Sequence, residues 1–445
     1  MLAPRAVNDN SSGPAVQSLM RVRGRQLQDS PAAPGTASDS FMRRVYLDHS
    51  ATTPIDARVL EAMLPYLTEN FGNASSVHMF GQEARAAVDK ARRQVAALVG
   101  ASSNEIVFTS GGTEANNLAV EGACEALRAH GRHIIISAIE HPSVRSVAEK
   151  LEASGYELTS LPVSDDGLVR VNDLRAALRP DTVLVSVMLA NNEIGTIQPI
   201  REIGEFLRDE SARGRRHLLF HTDAVQAAGR VAIDVNELGC DLLALSAHKI
   251  YAPKGVGALF IRRGVRISAQ QVGGHQERER RAGTESVANI AGFGAAAELA
   301  GTEADQRNQH VRELRDRFEQ LVSETISDVV YNGNRERRLP HISNISFRFI
   351  EGEGLLIHLD MNGIAVSTGS ACSSGTLEPS PVILALGRGD ELARGSIRFS
   401  FGKDNTREDV TYVVDRLQSS VAALRALSPL TRERVSLAPQ PAPSG

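Results

Sequence analysis

Between about residues 83 and 262, short β-rich runs alternate with stretches of helical periodicity, and few folds accept that order. The β-rich runs are Glu105–Thr109, His133–Ser137, Thr182–Leu189, Leu218–Thr222, Asp241–Ser246 and Ala258–Arg262. Helical patterns such as Glu83–Val99, Thr113–Ala129 and Leu174–Leu178 fall between them. This alternation predicts an α/β layer on a mainly parallel sheet, with any ligand site beyond the carboxyl ends of the strands. From about Thr302 the pattern changes. A long charged helix over Asp305–Ser323 leads to a strand-like Ile342–Phe349, a helix near Glu353–Asn362 and a strand at Ser396–Phe401. That is an α+β pattern and predicts a second, smaller domain.

The expected organisation is therefore a large domain over 62–302 and a small one over 303–428, the latter joined by an N-terminal segment, 44–61. Residues 1–43 are rich in Ser, Pro, Ala and Gly without apolar periodicity and read as a disordered extension. Arginines 5, 21, 23 and 25 give that extension a faint transit-peptide character. A bacterial tail or a misassigned start ahead of Met42 is the simpler expectation. Residues 429–445, ending in a Pro- and Ala-rich run, are expected to form a flexible tail.

A chain of 445 residues with 42% apolar content is enzyme-sized. Its net charge of −4 gives no basic field, so no direct nucleic-acid partner is expected. No apolar run is long enough to span a bilayer, so no membrane partner is expected either. Three scattered cysteines, Cys124, Cys240 and Cys372, suit neither a disulfide framework nor a metal site and point to a reducing, cytoplasmic setting.

The chemistry concentrates at strand ends. The apolar run Asp241–Leu245 delivers Ser246-Ala247-His248-Lys249, followed by Tyr251-Ala252-Pro253-Lys254-Gly255-Val256-Gly257. The chain has five lysines, Lys90, Lys150, Lys249, Lys254 and Lys403, and leaves most basic work to arginine. Burial disfavours an ammonium, so a lysine at such a strand end suits an imine-forming nucleophile; a solvated strand-end Lys is equally compatible with the run taken alone. Thr109-Ser110-Gly111-Gly112-Thr113-Glu114 joins a strand to a helix and could present backbone N–H groups to phosphate. It matches neither a dinucleotide fingerprint nor a P-loop. His141, after Glu140, could stack on a cofactor ring, shuttle protons, or simply end its strand. Asn191 and Asn192 are turn formers or polar groups aimed at a ligand. Asp223 could hold a protonated pyridine nitrogen or cap the next helix, and Gln226 follows within reach of a ring substituent. These strand ends taken together describe a pocket for pyridoxal 5'-phosphate.

From Val45 to about Pro429 the chain resembles the cysteine desulfurases, within the class V aminotransferases of fold-type I. The resemblance is carried by Tyr46-Leu47-Asp48-His49-Ser50-Ala51-Thr52-Thr53-Pro54, Phe71-Gly72-Asn73, the strand-end motifs above and Arg281-Ala282-Gly283-Thr284-Glu285. Most diagnostic is Ser367-Thr368-Gly369-Ser370-Ala371-Cys372-Ser373-Ser374-Gly375. The resemblance implies that Lys249 holds the cofactor covalently and moves the substrate α-proton. It also implies phosphate contacts from Gly112, Thr113, Ser246 and His248, with Thr284 reaching the phosphate of the partner subunit in a homodimer. Asp223 would meet the ring nitrogen, Gln226 the phenolic oxygen, and His141 the ring face. Asn192 and Arg398 would bind the substrate carboxylate, a task suited to the planar guanidinium.

Cys372 separates desulfuration from simple transamination. A thiolate in that Ser- and Gly-rich loop could take sulfur from L-cysteine, leaving L-alanine and a persulfide for a sulfur-acceptor or scaffold protein in iron–sulfur cluster assembly or thiolation. Selenocysteine lyase, or another class V lyase or aminotransferase, is the alternative. Cys124 and Cys240 fall in core patterns. Lys254 rivals Lys249 for the imine, His49 and His78 are further pocket candidates, and Arg278, Arg280 and Arg281 by themselves look like a solvated charge run. Ala74 replaces the proline common in relatives and should loosen a turn. Glu279 stands where glycine is expected, so the loop before Thr284 should differ. Ala247 and Gly273-Gly274-His275-Gln276-Glu277 resemble the nitrogen-fixation-associated branch.

Overall fold

Most strands of the main sheet are buried along their whole length because both faces are covered; edge strand Glu157–Leu161 is the half-exposed exception. The structure, a computed structural model, describes residues 43–214, 217–368 and 378–429. Its strands are β1 (Val45–Tyr46), β2 (Ile106–Thr109), β3 (His133–Ser137), β4 (Glu157–Leu161), β5 (Thr182–Ser186), β6 (Leu219–Asp223), β7 (Leu242–Ser246), β8 (Gly257–Ile261), β9 (Val329–Tyr331), β10 (Ile342–Phe347), β11 (Ile364–Ala365) and β12 (Ser396–Ser400). A seven-stranded sheet runs in the order β2-β8-β7-β6-β5-β3-β4, and within it β8 alone is antiparallel to its neighbours.

Every residue of β2, β3, β5, β7 and β8 is buried. Ile134 and Ile136 of β3 pack with Leu118, Ala123 and Val147 from helices Gly112–Leu127 and Pro142–Ala153 on one face. Ile135 points to the other face, with Val88, Val95 and Phe293 from helices Met79–Leu98 and Val287–Thr302. Each such side chain contributes about 1.5–3 kcal/mol on burial, which fixes the register of the parallel strands. Helix Gly112–Leu127 leaves β2 and packs across β5 to β8 before the chain enters β3. The carboxyl ends of β2, β3, β5, β6 and β7 therefore gather at one edge.

A second core lies around the antiparallel sheet β12-β10-β9. Helices Ala304–Thr325 and Arg407–Leu427 cover it, with Phe318 set between Phe399 and Phe401 at ring distances of 4.7 and 5.6 Å. The N-terminal segment belongs to this core. β1 pairs in parallel with β11, Asp48 bridges Ser400, and Val45 and Leu47 are buried there. The same segment then crosses to the large sheet, where the Thr53 hydroxyl donates to His248 O at 2.8 Å.

Among the described residues, no helix is long and apolar enough to cross a membrane. The turn at Gly72-Asn73-Ala74 carries a side-chain hydrogen bond of its own. The Asn73 side-chain oxygen accepts the Ser75 N–H at 2.9 Å and closes it.

Candidate active site

The gathered strand ends open on a cleft of about 490 Å³. Ten of the twelve residues singled out by sequence line it: Gly112, Thr113, His141, Asn192, Asp223, Gln226, Ser246, His248, Lys249 and Arg398. Thr284 does not; it is exposed on the loop after β8. Cys372 lies outside the described residues.

One end of the cleft suits an anion. The helix Gly112–Leu127 starts without a side-chain cap, which leaves first-turn N–H groups for a ligand. Close approach here is bought by glycine. A Cβ on Gly112 would come within 2.8 Å of Val225 Cγ2 and 3.2 Å of Ser246 Cβ, and one on Gly257 within 2.6 Å of the Gly111 carbonyl carbon. Ser246 is buried beside this helix start, and His248 places Nδ1 3.1 Å from the Thr52 hydroxyl. Burial, with Lys249 and Lys254 nearby, lowers the His248 pKa to about 4, so the ring is a neutral hydrogen-bonding group.

Asp223 also lines the cleft. Its carboxylate accepts the Val225 N–H at 2.8 Å and one hydrogen of the Asn116 amide at 2.7 Å, so it both caps its own turn and faces the cleft. His141 likewise has two roles: it caps helix Pro142–Ala153 through Nδ1 and lines the cleft. Burial lowers its pKa, opposed by Asp223 and assisted by Lys249, Arg145 and Arg398. Asn191 is the turn former, accepting the N–H groups of Glu193 and Ile194, while Asn192 lines the cleft. Arg398 gives one terminal nitrogen to Asn192 O at 2.9 Å and the other to Asp48 Oδ1 at 2.7 Å.

Sequence reasoning missed the contribution of Asp48, Ser50 and Ala51, although the run containing them was conspicuous. Lys249 Nζ donates to the carbonyls of Ser50 and Ala51, the latter at 2.7 Å, and Gln226 Nε2 donates to Ser50 O at 2.9 Å. Other candidates fall away. Lys254 is exposed and does not line the cleft. His49 is buried against Gly402, and His78 caps helix Met79–Leu98 by accepting the Gly81 N–H. Cys124 and Cys240 are buried core thiols, and burial pushes each up to about 12.

The arginine run before Thr284 is not a solvated strip. Arg281 pairs with Glu114 at 2.7 Å, and Arg278 donates to the carbonyls of Asn104 and Ile106. Glu277 is buried and takes both terminal nitrogens of Arg92 at 2.6 and 2.7 Å. Glu279 lies in a left-handed stretch of the same loop. Glu277, Arg278 and Glu279 all hold left-handed φ values, of 47°, 58° and 63°. That conformation costs a non-glycine residue about 1–2 kcal/mol, and the exposed His275–Glu279 contact returns at most about 1 kcal/mol. Glu279→Gly should therefore raise the unfolding free energy by about 1 kcal/mol, read by urea denaturation. A decrease would show that the contact outweighs the strain.

Glu140, next to His141, is fully buried. Its Oε1 accepts the Ser137 hydroxyl and the Met188 N–H, each at 2.7 Å. Burial raises its pKa to about 8, with Asp223 adding to the rise and the two hydrogen bonds opposing it. The folded chain thus holds a proton that the unfolded chain gives up near pH 4.5, so this group's contribution to stability falls as pH climbs from about 5 to 8. Glu140→Gln offers an amide oxygen to the same two donors and cannot ionise. Its thermal midpoint should fall less than the parent's across that pH range; parallel curves would contradict the assignment.

The donor set fits pyridoxal phosphate: an anion-accepting helix start between small residues, with a carboxylate, Asp223, and a lysine, Lys249, lining the same cleft. The class-V aminotransferase family pattern matches residues 45–413. A cysteine desulfurase IscS of Dictyoglomus turgidum is 51% identical over 88% of this chain and 98% of its own length. Among solved structures, a NifS-like protein superposes with a TM-score of 0.80 at 35% identity, over 86% of this chain and all of its own. The structure described as SspA in complex with cysteine superposes with a TM-score of 0.71 at 32% identity, over 81% of this chain and 99% of its own. Cleft and similarities agree, and the chain belongs to the class-V aminotransferase family of pyridoxal phosphate enzymes.

Proposed function

We propose that this protein is a cysteine desulfurase that converts L-cysteine to L-alanine and carries the sulfur as a persulfide on Cys372. The observation that carries this is the meeting of Lys249, Asp223 and Arg398 in one cleft, supported by 51% identity to a protein named cysteine desulfurase. Bound pyridoxal phosphate supplies an electron sink for bonds at the substrate's α- and β-carbons. Gly112, Thr113, Ser246 and His248 hold its phosphate, Asp223 its ring nitrogen, Gln226 its phenolic oxygen and His141 its face. Lys249 holds it covalently and moves the substrate α-proton. Arg398 takes the substrate carboxylate on the hydrogens that Asp48 and Asn192 leave available, with Asn192 beside it. The Cys372 thiolate attacks the substrate sulfur: an S–S bond forms, the C–S bond breaks, and its electron pair stays with the carbon, which takes a proton to give alanine. Ser367, a few residues before Cys372, lines the cleft, which supports this assignment.

The persulfide passes to an acceptor or scaffold protein of iron–sulfur cluster assembly or thiolation. The working form is a homodimer in which Thr284 reaches the partner's phosphate. Supporting this, Thr284 lies outside its own chain's cleft, and Phe71, Val77 and Met79 are 72%, 89% and 64% exposed. Glu285 ties the Thr284 loop to that apolar region through Arg85, which also donates to Ala74 O. The division into domains 62–302 and 303–428 is supported by two hydrophobic cores; of the segment 44–61, Val45 and Leu47 join the second core, while Val59, like Leu339 and Ile342, packs in the first. A cytoplasmic location is supported by the free thiols of Cys124 and Cys240.

The test is the visible spectrum of the purified protein before and after L-cysteine, with alanine and sulfide measured in the same tube. A cofactor band that responds to cysteine, with alanine formed, is expected. A responsive band without alanine would replace desulfuration by selenocysteine lyase or another class V activity.

A further inference from the structure

His141 is held by a chain of hydrogen bonds whose directions are all fixed. The Ser143 backbone N–H points at His141 Nδ1 at 3.1 Å, and a backbone N–H can only donate. Nδ1 is therefore an unprotonated acceptor, and the proton of the neutral ring sits on Nε2. The Ser143 hydroxyl, 2.7 Å from the same Nδ1, must then donate as well. That leaves the Ser143 oxygen to accept, and Asn116 Nδ2 donates to it at 2.8 Å. The second hydrogen of the same amide nitrogen goes to Asp223 Oδ2 at 2.7 Å. Asn116 is 1% and Ser143 7% exposed, so water does not compete for these bonds.

We propose that Asn116 and Ser143 are positioning residues of the reaction: they lock His141 as the neutral Nε2–H tautomer and tie its ring to Asp223. The proposal rests on His141 and Asp223 being the groups that meet the cofactor's face and ring nitrogen. An imidazolium would need a proton on Nδ1, where two donors already point, so the relay opposes the charged ring. It also makes the ring and the carboxylate one rigid unit, because a rotation of His141 must break the Ser143 bond that orients the Asn116 amide. The other charged groups facing the ring are Lys249 after β7, Arg145 of its own helix and Arg398 of β12. All three disfavour a positive imidazole and remain in the variants below.

The test reads the imidazole nitrogens of His141 by ¹⁵N NMR in the full-length protein, with and without pyridoxal phosphate, using His141→Ala to assign the signals. The parent should show one protonated nitrogen, Nε2, at neutral pH. In Ser143→Ala the His141 midpoint should rise by about one pH unit, with the Nδ1–H tautomer becoming detectable. Ser143→Thr keeps a hydroxyl and should restore the parent behaviour. Asn116→Ala should move both the His141 signals and the pH dependence of the bound cofactor's absorption band. Unchanged His141 signals in Ser143→Ala and Asn116→Ala would overturn the relay. A change in Ser143→Ala alone would overturn its link to Asp223. If His141→Ala and Asp223→Ala bind the cofactor with an unaltered band, the cleft assignment itself fails and the proposal with it.

Discussion

Cys372→Ser is expected to bind the cofactor with an unaltered absorption band while cysteine-dependent sulfide release falls by at least about a thousandfold. The band should survive because Lys249, Asp223, Gln226, His141 and the residues at the helix start, which line the cleft, are all retained in the variant. The rate should collapse because no other thiol can stand in. Cys124 packs inside helix Gly112–Leu127 and Cys240 just ahead of β7, both fully buried, with burial pushing each thiol up to about 12. At neutral pH neither presents a thiolate, and thiolate is the form that attacks sulfur. A serine hydroxyl in place of Cys372 ionises less readily still and makes no persulfide. Sulfide and alanine would be followed together, because the two should fall in parallel if the sulfur leaves through Cys372. Sulfide release at the parent rate from the serine variant would remove Cys372 from the mechanism.

What the sequence reveals of this molecule follows from how locally each feature is encoded. Strands buried on both faces, such as Ile134–Ile136 or Leu242–Leu245, appear as unbroken apolar runs and are legible to within a residue or two. Edge strand β4 is half exposed along Glu157–Ser160 and looks like any polar connection. Helix Arg407–Leu427 does carry a start signal, the capping box of Thr406 and Asp409. The cleft residues are legible because each ends a strand, and parallel strands bring their ends together. Asp48 is not legible in this way. It meets Arg398 from 350 residues away, through a crossing of the N-terminal segment that no periodicity encodes. Asn116 and Ser143 are harder still. Each is an ordinary polar residue near a helix start, and only the folded geometry shows that they join Asp223 to His141. The left-handed Glu279 shows the opposite effect: a local rule is broken where buried Arg92–Glu277 and the Arg281–Glu114 pair hold the loop in place.

Lys249→Ala is expected to abolish turnover and covalent cofactor attachment together. Lys249 is the one lysine that lines the cleft among the described residues. Lys254 is exposed beyond it, and Lys403 is engaged with Asp56 at 2.6 Å. Replacement from within is therefore blocked by geometry rather than by chemistry. Borohydride reduction followed by peptide mass analysis separates the possibilities without relying on activity. The parent should carry the reduced cofactor on the peptide containing Lys249, and the variant on none. The variant should also lose the bonds from Nζ to the carbonyls of Ser50 and Ala51, which help hold residues 48–53 against the cleft. Net contributions of about 1.5–3 kcal/mol for a charged hydrogen bond set the size of that loss, so the cofactor-free variant should unfold at lower urea than the cofactor-free parent. Lys249→Arg keeps a cationic donor while removing the amine that forms the imine. It should recover part of that stability and none of the turnover, which separates the structural task of the lysine from its chemical one. A reduced adduct on Lys254 in either variant would mean that the nucleophile had been assigned to the wrong lysine.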